Sequence, residues 1–246
     1  MTAFIYDGTF EGLLTCVFEA YSLKILPYLI TDSSVQTGFG SEILKISSDF
    51  VKAERVKKGL KDCATKDALY NIKTAFLSGD PIKSTAIFNF IKYCIDNKKT
   101  DESRNFAEPA ILNTDDIVRK VICESHRFKG FIRFSESKNG YYYAHYEPDN
   151  DITELLIPHF SARFRNMPFI IHDTKRNILA MCAGMEYEII HPDKPVNVFL
   201  SEEETEFQNL WKTYYNSVNI KSRKNLRQMR EYMPERYWKN LPEKYQ

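Results

Sequence analysis

The sequence predicts an α+β protein with a helical N-terminal part, a central antiparallel sheet of about four to five strands carrying one packed helix, and a helical, basic C-terminus. Three observations carry that prediction. Apolar residues recur at helical spacing through most of the first 125 positions. The period then falls to two, around turn dipeptides at Asn139-Gly140 and Arg176-Asn177. Helical spacing returns after Ser201. Helices, then paired strands, then helices is the order of an α+β chain. The corresponding regions are 1–115, mainly helical; 116–200, the antiparallel sheet with one helix; and 201–246, C-terminal helices packed on the sheet, all within one compact unit.

Each element has a local cause. Phe4 to Asp7 reads as a short strand turned by Gly8, and Thr9 caps a helix whose Phe10, Leu13, Leu14, Val17, Phe18 and Tyr21 share one face. Thr31 to Gly40 is a polar loop, and Glu42 to Ile46 alternates like a strand. Lys66 to Leu77 and Lys83 to Ile95 are helical, Asp96 to Arg104 is a charged connection, and Thr114 caps a helix with Ile117, Val118, Val121 and Ile122 inward. Phe131 to Phe134 and Tyr141 to Glu147 form a hairpin about Asn139-Gly140. Asp151 caps a helix that Pro158 kinks or breaks. Pro168 to His172 pairs with Ile178 to Ala183, and Glu186 to Ile190 adds a fifth strand. Ser201 and Glu204 form a capping box for a helix with Phe207, Leu210, Trp211, Tyr214 and Val218 on its apolar face.

Composition limits the function classes. The hydrophobic share of 43% supports a core, and the net charge of +1 gives no global attraction to nucleic acid, so any such binding needs a local patch. Cys16, Cys63, Cys94, Cys123 and Cys182 are widely spaced, which argues against a disulfide framework and against a cysteine-ligated metal or iron–sulfur site. Neither a Walker A loop nor GxGxxG occurs, so no cofactor is expected. There is no signal-peptide pattern and no long apolar run, so the expected location is the cytoplasm, without membrane contact.

The residues that bear chemistry cluster after position 125. Ser125 to Phe134 interleaves His126, Arg127, Lys129 and Arg133 with aromatics. Further dense runs place His159, Arg163 and Arg165 together, and His172, Asp173, Lys175 and Arg176 together. Cations neutralise phosphates and aromatic faces stack on bases, so the runs point to a nucleic-acid surface. Alternation puts Tyr143 and His145 on one strand face with Tyr141 and Glu147, with Arg133 and Phe131 sharing a face of the neighbouring strand. That face is either an open stacking surface or core covered by helices. Between positions 212 and 239 eight cations meet only Glu231 and Glu235. Arg223, Arg227 and Arg230 share a helical face there, accompanied by Trp238. Candidate catalytic groups are His126, His145, Glu147, His159, His172 and Asp173. No HxxxH or HxH spacing supports a metal, and no GxSxG supports a triad.

Five segments together resemble a known family: Tyr6 to Leu14, Ser125 to Phe134, Ala144 to Asp149, His159 to Phe164, and Met233 to Lys239. They are similar to a bacterial family of DNA-repair or DNA-metabolism proteins, a domain of unknown function that accompanies a radical SAM protein and is in some chains fused to a uracil-DNA-glycosylase-like domain. The resemblance implies DNA and a radical SAM protein as partners and supplies no catalytic residue. The leading expectation is a DNA-binding accessory protein that presents DNA to a radical SAM enzyme. The alternatives are a nucleic-acid-processing enzyme with a His/Asp/Glu site, metal-assisted or glycosylase-like, and a protein-interaction module without DNA binding.

Overall fold

A computed structural model describes residues 1–32, 40–63, 65–97, 105–194 and 196–244, without the side chain of Lys221. The expected loop over 31–40 and connection over 96–104 therefore lie largely outside the described residues. The fold is α+β. Two compact units divide at Ile122 and Cys123, inside one helix. The expected regional boundaries at 115/116 and 200/201 follow changes of sequence pattern, whereas this division follows contacts.

The first unit contains a three-stranded parallel sheet: two of its strands fall on those expected at Phe4 to Asp7 and Glu42 to Ile46, and the third, over residues 29–31, was not expected. Strand β1 (Thr2–Ile5) lies between β2 (Leu29–Thr31) and β3 (Glu42–Lys45), and both pairings are parallel. Helix α1 (Phe10–Leu23) follows β1, and Thr9 caps it by accepting from the Gly12 amide at 2.9 Å. Gly12 leaves room for its neighbours, because a Cβ there would crowd Asp7 Oδ1, Ser48 Oγ and the Tyr6 ring, and these would have to shift. Helix α2 (Phe50–Cys63) was not expected: it is rich in lysine and buries only Ala53, Val56 and Leu60, which lie on one helical face. Helices α3 (Lys66–Phe76) and α4 (Lys83–Asp96) lie where expected, and α3 is capped by Thr65. Phe4, Leu13, Leu14, Ile72, Ile87, Phe90 and Ile91 join one core.

Helix α5 (Pro109–Phe131) corrects two expectations. Thr114 is not a cap. It is buried in the helix interior, and its hydroxyl donates to the Ala110 carbonyl, while Pro109 takes the first turn, where its missing N–H costs nothing. Phe131 to Phe134 is not a strand, because α5 runs through Phe131. Phe128 is buried in the last turn and Ile132, just past it, is buried too with its amide bonded to the Phe128 carbonyl, and that packing outweighs the aromatic, β-prone composition of the stretch.

The second unit is built on a five-stranded sheet, ordered β4 (Ser135–Glu136), β5 (Tyr142–Tyr146), β6 (Phe169–Asp173), β7 (Ile178–Ala183) and β8 (Glu186–Ile190). The expected antiparallel sheet is in fact mixed: β5 and β6 run parallel, joined through α6 (Thr153–Phe164), and the other pairings are antiparallel. A helix between two strands allows the parallel crossover that a hairpin cannot make. Gly140 (φ 78°) and Asn177 (φ 53°) turn the two expected hairpins in the left-handed region. Asp151 does not cap α6; Ile152 takes that place without a side-chain bond, and the helix continues through Pro158 without a break. Phe134, Phe160, Phe164 and Phe169 pack edge-on or stacked over the sheet, and Phe128 packs against Tyr146 and Tyr237.

The last region departs furthest from expectation. Helix α7 (Glu204–Val218) has no capping box: Glu203 precedes it, Ser201 Oγ is buried without a partner, and the buried Glu204 carboxylate accepts from the Glu136 amide at 2.9 Å. Its apolar face is exposed at Phe207, Leu210, Trp211, Tyr214 and Val218. The chain then breaks into a 3-10 turn (Lys221–Arg223), α8 (Leu226–Tyr232) and two 3-10 turns, Glu235–Asn240 and Pro242–Lys244. Arg223 is consequently outside the helix that carries Arg227 and Arg230, so the expected single face of three arginines does not form. Asn225 supplies the break, since its side chain accepts from the Gln228 amide and starts a new helix.

Candidate nucleic-acid interface

The cations singled out from sequence separate into two groups, those held by carboxylates and those left free. Arg176 lies against Asp173, which is fully buried at the end of β6, at 2.8 Å, and it also donates to the Pro148 and Asp149 carbonyls. Asp173 accepts in addition from the Lys175 and Arg176 amides. Burial pushes its carboxyl above the ordinary aspartate range against the pull of Arg176. Lys175 stands 3.9 Å from Asp149, and Arg236 reaches the same carboxylate at 2.7 Å. Lys239 pairs with Glu147, which holds that carboxyl below its usual range. Arg230 pairs with Glu235 at 2.7 Å. Arg133 contacts Glu243 at 2.8 Å, and its guanidinium lies over the Trp211 ring.

Glu124 organises this region from within. Its buried carboxylate accepts from the Asp149 amide, the Asn150 amide and side chain, and the Tyr237 hydroxyl. Burial and that carboxylate together push the Tyr237 hydroxyl well above the ordinary tyrosine range. Nothing in the sequence pattern singled out Glu124, because it looks like one more polar residue in a long helix.

The free group occupies two places. On the surface shared by α5 and α6, Lys129, Arg163 and His159 lie near one another. Burial, followed by the charges of Lys129 and Arg163, holds the His159 imidazole below the usual histidine range. Lys129 is half-buried and Arg163 exposed, and neither has a carboxylate partner among the described residues. His126 is exposed and Arg127 half-buried on the same end of α5, and Arg165 is exposed just past α6.

The second place is a cavity of about 610 Å³ formed by the C-terminal turns. Arg223, Lys224 and Lys244 line it with Tyr215, Tyr232 and Trp238. Trp238 is anchored by its indole N–H on the Met233 carbonyl at 2.9 Å. Lys244 Nζ sits 5.1 Å over the Trp238 ring and 5.4 Å over the Tyr215 ring, bonded to the Tyr215 hydroxyl and the Met229 sulfur. Glu243 also lines the cavity, but its carboxylate is held by Arg133 and by the Trp211 indole N–H at 3.0 Å. Burial opposes ionisation of Glu243, yet those bonds outweigh it and keep its pKa below the usual range. Lys244 and Tyr215 were not predicted as site residues; they are 29 positions apart and meet only through folding.

The candidate histidines do not converge as a set. His145 and His172 are register partners on β5 and β6, while His126 and His159 lie on two helices. His172 is buried, with Nδ1 2.7 Å from the Tyr143 hydroxyl and Nε2 3.2 Å from Asn177 Oδ1. Asn177 Nδ2 donates to the Pro192 carbonyl, which turns Oδ1 toward the imidazole. The proton is thereby assigned to Nε2, and Nδ1 accepts from Tyr143. Burial raises the Tyr143 hydroxyl to about 12. Partial desolvation and then the charge of His172 lower the pKa of His145, whose ring centre is 6.1 Å from that of Tyr143. Among the described residues no three His, Cys, Asp or Glu side chains are placed to hold a metal ion, and no helix is long and apolar enough to cross a membrane.

The class these features define is a two-unit α+β protein whose second unit is nearly balanced in charge but gathers cations and aromatics in local clusters. Residues 81–243 match the family described as a domain of unknown function, DUF4130, and the chain belongs to that family. Searches of curated proteins and of solved structures return no match.

Proposed function

We propose that this protein is a DNA-binding accessory component of a DNA repair or base-modification system, which presents DNA to a radical SAM enzyme. The observation that carries the DNA part is the α5–α6 patch, where Lys129 and Arg163 lack carboxylate partners and are close enough to His159 to depress its pKa. Uncompensated, clustered cations favour a polyanion, and their attraction to phosphate is paid back in released counterions. The radical SAM partner and the repair setting rest on the sequence resemblance alone. The decisive measurement is fluorescence anisotropy of the full chain with single- and double-stranded DNA across a salt series. Saturable binding is expected, with log affinity falling linearly in log salt. Lys129→Ala with Arg163→Ala should reduce the slope by about two. Equal affinity and slope in wild type and double variant would remove this surface.

A second reading, a nucleic-acid-processing enzyme, is favoured by the Tyr143–His172–Asn177 chain. Both His172 nitrogens are engaged, so it can serve as a base only through Tyr143. If that reading is right, Tyr143→Phe abolishes turnover of lesion-containing oligonucleotides by the wild-type protein; if the wild type turns over none, the reading fails.

A further inference from the structure

The C-terminal cavity contains an ammonium that no carboxylate among the described residues neutralises. Lys244 is half-buried, and its ammonium has two aromatic rings, a hydroxyl and a thioether as neighbours, with no carboxylate among the described residues. Arg223 and Lys224 add two further cations, and neither has an acidic partner among the described residues. Glu243, the one carboxylate in the lining among the described residues, is committed elsewhere, to Arg133 and Trp211. Three cations around one cavity, with no uncommitted carboxylate among the described residues, favour an anionic ligand.

The walls narrow the class of that ligand. Trp238 has its edge fixed by Met233, and Tyr232 is 63% exposed with its ring against the same space. Asn219 and Gln228 offer amides that can meet the edge of a heterocycle. A volume of about 610 Å³ is in the range of small-molecule sites, and the combination of phosphate-binding cations, stacking faces and amide groups matches one phosphorylated planar base. From this juxtaposition we infer that the cavity is a nucleotide site: Arg223, Lys224 and Lys244 take the phosphate, and the base stacks on Tyr232 and Trp238. The inference rests on the nucleic-acid reading for the source of the nucleotide, an unstacked residue of a strand.

Calorimetric titration of the full chain with dAMP and dCMP tests it, with inorganic phosphate and the unphosphorylated deoxynucleosides as controls. The expected result is saturable mononucleotide binding, with phosphate and nucleoside each weaker by about tenfold or more. Arg223→Ala with Lys224→Ala should weaken mononucleotide binding by about tenfold, and Tyr232→Ala should bring it toward that of phosphate. All three positions are exposed, so the variants are expected to fold. No saturable binding, equal binding by phosphate and mononucleotide, or variants indistinguishable from wild type would overturn the site. Lys129→Ala with Arg163→Ala must leave the mononucleotide titration unchanged, so the two surfaces fail separately. Displacement of bound dAMP by a single-stranded oligonucleotide assigns the nucleotide to a strand. Mononucleotide binding without displacement assigns a free nucleotide, and overturns the strand as its source while the site stands.

Discussion

Two regions of the second unit draw on the same kind of sequence and put it to opposite uses. Around the 147–150 loop, Lys175, Arg176, Arg236 and Lys239 face Asp149, Asp173 and Glu147, with Glu124 fixing the loop from beneath. Around the C-terminal cavity, Arg223, Lys224 and Lys244 face rings and amides. Arg176 and Arg223 look alike in a basic stretch of sequence, but one holds the fold together and the other is open to a ligand. Density of positive charge therefore says little about binding; what matters is whether folding brings a carboxylate to each cation.

The sharpest way to break this comparison is to remove a cation from each region. Arg176→Ala strands the buried Asp173 carboxylate and should cost about 3–5 kcal/mol in chemical denaturation. Arg223→Ala should stay within about 0.5 kcal/mol of wild type. Similar losses at both sites would erase the distinction. Glu124→Gln places an amide donor among groups that already donate to that position, and a loss of about 1–3 kcal/mol is expected.

The pH dependence of Asp173 sharpens the paired side. Its folded pKa is raised, so the native state binds the proton more tightly than the unfolded chain. Its contribution to stability is fully present below the ordinary aspartate pKa and is lost as pH rises through the elevated one. The difference in stability between wild type and Asp173→Asn should therefore shrink as pH rises through that window; a difference that grows with pH would refute it. Tyr143→Phe removes one bond to His172 and should cost about 1 kcal/mol. The smallest effect belongs to the free side. By NMR titration, Lys129→Ala should move the His159 pKa upward toward the ordinary histidine range, and no movement would separate Lys129 from the patch.

Much of the fold was legible in the sequence because its cause is local. The Thr9 cap, the turns at Gly140 and Asn177, and the stripes of α3 and α4 depend on residues a few positions apart. Elements with a nonlocal cause were misread. The parallel sheet of the first unit needs partners 26 to 40 positions away, as in Ala3 with Leu29 and Thr2 with Glu42. Helix α5 runs to Phe131, the first residue of the stretch that looked like a strand, and Phe128 is buried within its last turn. Of the candidate site, sequence singled out Arg223 and Trp238, both in the cavity lining, but had no signal for Lys244 or Tyr215.

What the sequence alone determined is the α+β class, most helices and hairpins, and the runs after position 125 in which cations and histidines are interleaved with aromatics. These follow from periodicity, capping chemistry and composition, which act over a few residues. Only the tertiary structure decided that β5 and β6 run parallel, that α7 leaves its apolar face exposed, and which cations meet a carboxylate. Ion pairing depends on where distant segments come to rest: Arg133 meets Glu243 across 110 positions, and Tyr237 meets Glu124 across 113. No local pattern encodes distances of that kind, so the difference between a structural cation and a binding cation emerges only when the chain is folded.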